Sequence, residues 1–154
     1  MYVKRHQRLP GYNYASTGAY FVTVCAAGHR PLFGCFNSGA WIPSPLGEIL
    51  QKHIELLPCR QPGLTLDEWV IMPNHFHAII WLDKNLNTRT LSNVIGSLKS
   101  GISHEFNAAS NTRAKIWQTS FYDHIIRNED GLLKIREYIQ QNPAKWQEDR
   151  FYTS

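Results

Sequence analysis

Two histidines two apart, a tyrosine in a helical stretch and an amide four residues beyond it are the groups that could do chemistry together. His75 and His77 fall in the run HFHAIIWL. Its aromatic and β-branched residues predict a strand. Strand side chains alternate faces, so both imidazoles point to the same side. Two imidazoles on one face, at a strand end beside the Pro73-Asn74 turn, offer two ligands to one metal ion. His-x-His alone is a weak pattern, and the plain alternative is two polar residues on an open sheet face. Ile79 and Trp81 share that face, however, so part of it must be covered.

A cover is available in DGLLKIREYIQQN, residues 130–142. At helical spacing Leu132, Ile135 and Ile139 cluster on one face, which docks the helix on the sheet. Lys134, Tyr138 and Asn142 follow one another at intervals of four and make a polar stripe beside it. A helix docked over the histidines brings Tyr138 and Asn142 to the edge of their site. Tyr2, Tyr12, Tyr14, Tyr20, Tyr122 and Tyr152 are also present; the stripe is what singles out Tyr138.

The surrounding elements must place these groups. Residues 1–17 are polar and basic and read as an N-terminal arm. AYFVTVCA from Ala19 predicts a first strand. Gly28 to Gly39 reads as a loop. Ser44-Pro45 opens a helix, with Ser as cap and Pro in the first turn, running to Leu57. Leu64–Met72 and His75–Leu82 predict two strands of a hairpin. Thr90 caps a second helix whose apolar face runs from Leu91 to Phe106. Ile116 to Arg127 predicts a fourth strand with an irregular start. Asn128 opens a third helix, stopped by Pro143. The first six elements make an α+β, ferredoxin-like (RRM-like) antiparallel sheet with helices, and the helix carrying Tyr138 is extra. Phe76, Ala78, Ile80 and Leu82 should pack on the first two helices. With 154 residues, one domain spanning 1–154 is expected.

Composition sets wider bounds. Sixteen Lys+Arg against twelve Asp+Glu give net charge +4 and a pI near 9.1, which permits a polyanionic partner without requiring one. Three cysteines with no CxxC pair suggest neither a disulfide framework nor a zinc knuckle. No apolar run approaches membrane-spanning length, and the start lacks a signal-peptide apolar core. A reducing cytoplasm, with nucleoid association, fits these features.

Three stretches, MPNHFHAII (72–80), WQTSFYDHIIRNE (117–129) and IREYIQQNPAKW (135–146), together with LPGYNYASTGAYFVTVCAAGHRPLFG near the start, resemble the single-tyrosine HUH transposases, in particular their REP-associated tyrosine transposase branch. The resemblance runs from about Arg8 to Trp146. It implies that His75 and His77 are metal ligands and that Tyr138 is the nucleophile. Asn142 stands where the family supplies a third ligand. The implied substrate is single-stranded DNA flanked by a hairpin. The implied cofactor is one divalent cation, Mg²⁺ or Mn²⁺, with about three positions left for phosphate and water. One departure is that no long region follows Trp146. Members differ in whether they are homodimers with the tyrosine donated in trans.

Such an enzyme cleaves DNA through a covalent 5′-phosphotyrosine, which a 3′-OH then attacks to rejoin strands without ATP. The phenol has a pKa of ~10, so about 0.1% is phenolate at pH 7 and a nearby cation helps. DNA contacts are expected from Lys4, Arg5, Arg8, Lys99, Arg127 and Lys134, and a supporting role around the ligands from Gln118 and His124. Two other readings use the same residues. One is a non-catalytic single-stranded nucleic-acid binding protein on this fold. The other is a zinc hydrolase built on His75, His77 and His124.

Overall fold

In the computed structural model, which describes residues 17–86 and 89–153, the β-branched and aromatic run at the start forms β1, Thr17–Cys25. A small hairpin follows, β2 (Gly34–Asn37) and β3 (Ala40–Pro43). Helix α1 is Pro45–Glu55, and a single turn, α2, spans Leu57–Arg60. Then come β4 (Leu64–Met72) and β5 (His75–Asp83), α3 (Leu91–Ser110), β6 (Tyr122–Ile126) and α4 (Glu129–Gln141). A 3₁₀ segment, Pro143–Glu148, ends the regular structure.

The main sheet is ordered β4-β5-β1-β6 with antiparallel pairings. That is the ferredoxin-like arrangement expected from the sequence, with α4 added. Caps set the helix starts. Ser44 Oγ accepts from the Gly47 amide, Thr90 Oγ1 from Asn93 and Asn128 Oδ1 from Gly131, each satisfying a donor that the first helical turn leaves open.

The two sheet faces have different tasks. Val22, Val24, Phe76, Ala78, Ile80 and Leu82 face α1 and α3 and meet Leu50, Ile54, Val94, Leu98 and Ile102 in the larger core. Each fully buried aliphatic side chain stabilises by ~1.5–3 kcal/mol, so this face anchors the molecule. On the other face Leu132 and Ile139 of α4 pack on Ala19, Ile79 and Trp81. That is the covering expected for Ile79 and Trp81.

The expectations fail in three places. The segment read as a loop contains the β2–β3 hairpin, turned by Ser38 and Gly39, both at positive φ; four-residue strands are too short to show periodicity. The fourth strand is only Tyr122–Ile126. Its expected start survives as one bridge between Ala26 and Trp117, because Trp117 turns inward to the core. Thr17, assigned to the arm, already belongs to β1; the rest of that arm, with Lys4, Arg5 and Arg8, lies outside the described residues. Among the described residues, no helix is long and apolar enough to cross a membrane.

Candidate active site

The register of the sheet builds one row of side chains. Thr23 of β1 lies between His77 of β5 and Tyr122 of β6, and Cys25 lies opposite His75. Alternation therefore puts His75, His77, Thr23, Phe21, Tyr122 and His124 on the face that α4 partly covers. Both imidazoles are buried, His75 at 0% and His77 at 2% exposure, with ring centroids 4.7 Å apart.

Each ring is held at Nδ1. Asn74, in the turn between β4 and β5, places Oδ1 2.8 Å from His75 Nδ1. The Asn74 amide is itself oriented, because its Nδ2 donates to the carbonyls of His29 (3.1 Å) and Phe151 (2.6 Å). An amide oxygen only accepts, so His75 Nδ1 carries the proton and its Nε2 presents a lone pair. His77 Nδ1 lies 2.8 Å from Thr23 Oγ1, a hydroxyl that can donate or accept, and its Nε2 has no partner. Burial, followed by the charges of His77, His29 and Arg150, pushes His75 down to about 2, although Asn142 acts the other way. Burial and Arg150 push His77 down to about 3. Both rings are therefore neutral at cellular pH, the form in which imidazole binds metals.

With His75 neutral, its Nε2 and the Asn142 oxygen are both acceptors, and only a charged ring could donate from one to the other; the buried atoms His75 Nε2, His77 Nε2 and Asn142 Oδ1 thus have no hydrogen-bond partner. Asn142 Nδ2 donates to the Tyr138 carbonyl at 3.3 Å, which leaves its oxygen as the group without a donor. A fourth acceptor comes from beyond α4. Asp149 Oδ2 lies 3.8 Å from His75 Nε2, with its side chain 3% exposed. This is not an ion pair, since His75 is neutral. The Asp149 carboxyl is raised above the usual carboxylate range by burial, against the opposing Phe151 amide and Arg150. His75, His77 and Asp149 offer ligand atoms all within 4.8 Å of one another. Buried polar atoms without partners are costly, and a divalent cation among the two imidazoles and Asp149 would offset that cost. Two ligands at ~2.0–2.2 Å from one ion are separated by up to about 4 Å, so the His75–Asp149 spacing suits a shared ion. The donor set of imidazole nitrogens and hard oxygens also suits one.

Tyr138 stands at the rim. It is 44% exposed, and its ring centroid is 5.4 Å from that of His77 and 6.1 Å from that of Phe21. It lines an open cleft with His77, Tyr122, His124 and Arg150. Helix α4 is fixed from behind by a pair that the sequence did not suggest. Arg136, buried, donates through Nε and Nη2 to Asp67 at 2.9 and 2.6 Å. Trp81 Nε1 adds a bond to Asp67 at 3.0 Å, and Gln140 reaches Glu68 at 2.6 Å. Asp67 and Glu68 sit where the β4–β5 register shifts.

Of the residues expected at the site, His75, His77, Asn142 and Tyr138 come together. His124 lines the cleft but is absent from the ligand cluster, so it does not complete a three-histidine zinc site. Gln118 donates to His29 at 3.3 Å, and His29 stacks on Phe151, so Gln118 stands behind the site. Lys99 points elsewhere, its ammonium bonded to the carbonyls of Gln118 and Ser120. Arg127 and Lys134 are exposed and line no part of the cleft.

Asn74, Thr23, Asp149 and Phe151 had not been singled out. Asn74 carried a local signal, a turn amide abutting His75. Asp149 and Phe151 carried none, because they lie past the last recognisable stretch and only the chain's return across the sheet brings them in.

Comparison with known proteins bears on the family and the fold. The family model described as "Transposase IS200 like" matches residues 43–142. A Haemophilus influenzae protein of uncharacterised function is 32% identical over 97% of this chain and 93% of its own length. The REP-associated tyrosine transposase of Escherichia coli is 28% identical over 61% of this chain and 53% of that protein. Among solved structures, a REP-associated tyrosine transposase bound to a REP hairpin superposes with a TM-score of 0.64 at 23% identity, covering 90% of this chain and 74% of that one. The match of the family model across α1 to Asn142, with a relative of this identity along nearly the whole chain, shows that the protein belongs to the IS200-like transposase family.

Proposed function

We propose that the chain acts as one domain, a metal-dependent single-stranded DNA endonuclease and strand transferase with Tyr138 as its nucleophile. One observation carries the reading most: His75 Nε2, His77 Nε2 and Asn142 Oδ1 are buried polar atoms without a hydrogen-bond partner, with the Tyr138 ring 5.4 Å from that of His77. His75, His77, Asn142 and Asp149 would hold one Mg²⁺ or Mn²⁺. The bound ion would supply charge neutralisation at the phosphate and a lower pKa for a nearby phenol. Asp149 makes the ligand set anionic, which differs from the neutral set expected from the sequence, and leaves about two octahedral positions open rather than three.

The residues of the chain do the rest. Thr23 and Asn74 hold the imidazoles so that the Nε2 lone pairs face inward. Arg136 and Asp67 fix α4, and with it the approach of the Tyr138 phenol. The phenol oxygen forms a bond to phosphorus while the bond from phosphorus to the 3′ oxygen breaks. The phenol proton is lost and the 3′ oxygen gains one, giving a 5′-phosphotyrosine and a free 3′-OH. Attack by another 3′-OH reverses these bond changes and joins strands. The substrate is a hairpin-flanked single strand, which is supported by a structural relative solved with such a hairpin.

Incubating the protein with a hairpin-flanked single strand and Mn²⁺ should give an adduct that survives denaturing electrophoresis. Tyr138→Phe should form none. An adduct of normal yield from that variant would remove Tyr138 from its role.

A further inference from the structure

The cleft in front of Tyr138 is lined by Phe21, Thr23, His77, Tyr122, Asp123, His124, Tyr138, Arg150 and Phe151. Arg150 is the one arginine or lysine among them. Its guanidinium carbon lies 4.6 Å above the Phe151 ring and 5.5 Å above that of Tyr122. Among the described residues it has no carboxylate within ion-pair distance and no hydrogen-bond acceptor, unlike the buried Arg136. Its five donors are therefore free to meet a planar anion in the cleft.

The backbone that carries Arg150 is fixed on both sides. Asp149 is turned into the histidine site, and its Oδ1 accepts from the Phe151 amide at 2.8 Å. Phe151 is buried, its ring 4.8 Å from that of His75, and its carbonyl accepts from Asn74. Between two such anchors, Arg150 is the side chain left facing outward. The other formal charge in the lining is Asp123 on β6, an anion, so Arg150 is the residue there that attracts one. Asn142 Oδ1 and the Asp149 carboxylate, beside the histidines, can only accept. A phosphodiester reaching Tyr138 thus finds hydrogen-bond donors for its non-bridging oxygens at Arg150.

We propose that Arg150 is a substrate-binding catalytic residue that grips the scissile phosphate, so that the C-terminal segment completes the active site. This rests on the transesterase reading above. Two readouts separate the two ideas. Wild type, Arg150→Ala and Arg150→Lys are titrated in EDTA with a fluorescent hairpin-flanked single strand. Arg150→Ala should bind about tenfold more weakly, the equivalent of one charge-assisted hydrogen bond, with a shallower salt dependence. Arg150→Lys should recover part of the loss. In Mn²⁺, single-turnover adduct formation by Arg150→Ala should fall by about 10²-fold or more, as for loss of one donor to a transition-state oxyanion. Mn²⁺ affinity measured without DNA should not fall, because Arg150 is no ligand and its charge opposes a cation at the histidines. An unchanged EDTA affinity overturns the phosphate contact. So does an adduct rate for Arg150→Ala equal to or above that of wild type, and a faster rate would make the segment a cover over the site. Absence of adduct from wild type overturns the transesterase reading instead, while the EDTA titration still decides Arg150.

Discussion

His75 and His77 are neutral for the same reason, burial, but their rings are held differently. His75 leans on an amide whose every polar atom is committed, while His77 leans on the hydroxyl of Thr23. An amide oxygen fixes one tautomer, whereas a hydroxyl can donate or accept. Asn74 is therefore the more consequential support. Asn74→Ala should weaken Mn²⁺ binding by about 10–100-fold, the usual effect of removing a partner behind a ligating histidine. Isothermal titration with Mn²⁺ measures this directly, and a loss below twofold would mean that His75 keeps its orientation without Asn74. Thr23→Val should have a smaller effect in the same assay.

At the scale of elements, the position of Tyr138 depends on how α4 is seated. Its apolar face is narrow, with Leu132 and Ile139 buried, and the seating is completed by Arg136 on Asp67. Burial alone would raise the Asp67 carboxyl. The hydrogen bonds and charge of Arg136, with Trp81 and the Glu68 amide, outweigh it and hold the carboxyl below the usual carboxylate range. Removing Arg136 takes the bidentate guanidinium from a buried Asp67 carboxylate. Arg136→Met should cost about 3–5 kcal/mol, whereas Arg136→Met with Asp67→Leu should recover much of it. Urea midpoints of the three proteins test this; a double variant no more stable than the single would argue that the pair is not the seat of the loss. Because Tyr138 rides on α4, the single variant should also form adduct more slowly than its stability loss explains.

At the scale of the whole molecule, the buried imidazoles make folding depend on pH. An ordinary imidazole titrates at ~6.5, while the folded site holds His75 near about 2 and His77 near about 3. Between these values the unfolded chain binds protons that the folded chain refuses. Stability is therefore complete above about pH 6.5 and declines as pH falls toward 3, by up to ~1.4 kcal/mol per pH unit for each ring. Asp67 adds a loss of the same sign, confined to pH below about 4. Metal-free protein should unfold at a lower urea concentration at pH 5 than at pH 7. His75→Asn with His77→Asn should narrow that difference, and an undiminished difference would place the pH dependence elsewhere.

Much of this was legible before folding was considered. Period-two alternation put His75 and His77 on one face, and period-3.6 patterning put Tyr138 and Asn142 on one stripe. Both periods are local properties of a backbone that needs no knowledge of its neighbours. The caps Ser44, Thr90 and Asn128 were equally local. Nothing local marks out Arg136, because its partner Asp67 lies 69 residues away in sequence and sits at an irregularity in β4. Asp149 and Arg150 looked like an unremarked end of chain. Their roles come from the return of residues 143–153 across the sheet, and no spacing along the sequence encodes a contact made in that way. The sequence by itself determined the sheet, the histidine face and the helix that brings the tyrosine. Only packing sets the Asp149 carboxylate and the Arg150 guanidinium beside this face, since burial and the meeting of distant charges exist only once the chain has packed.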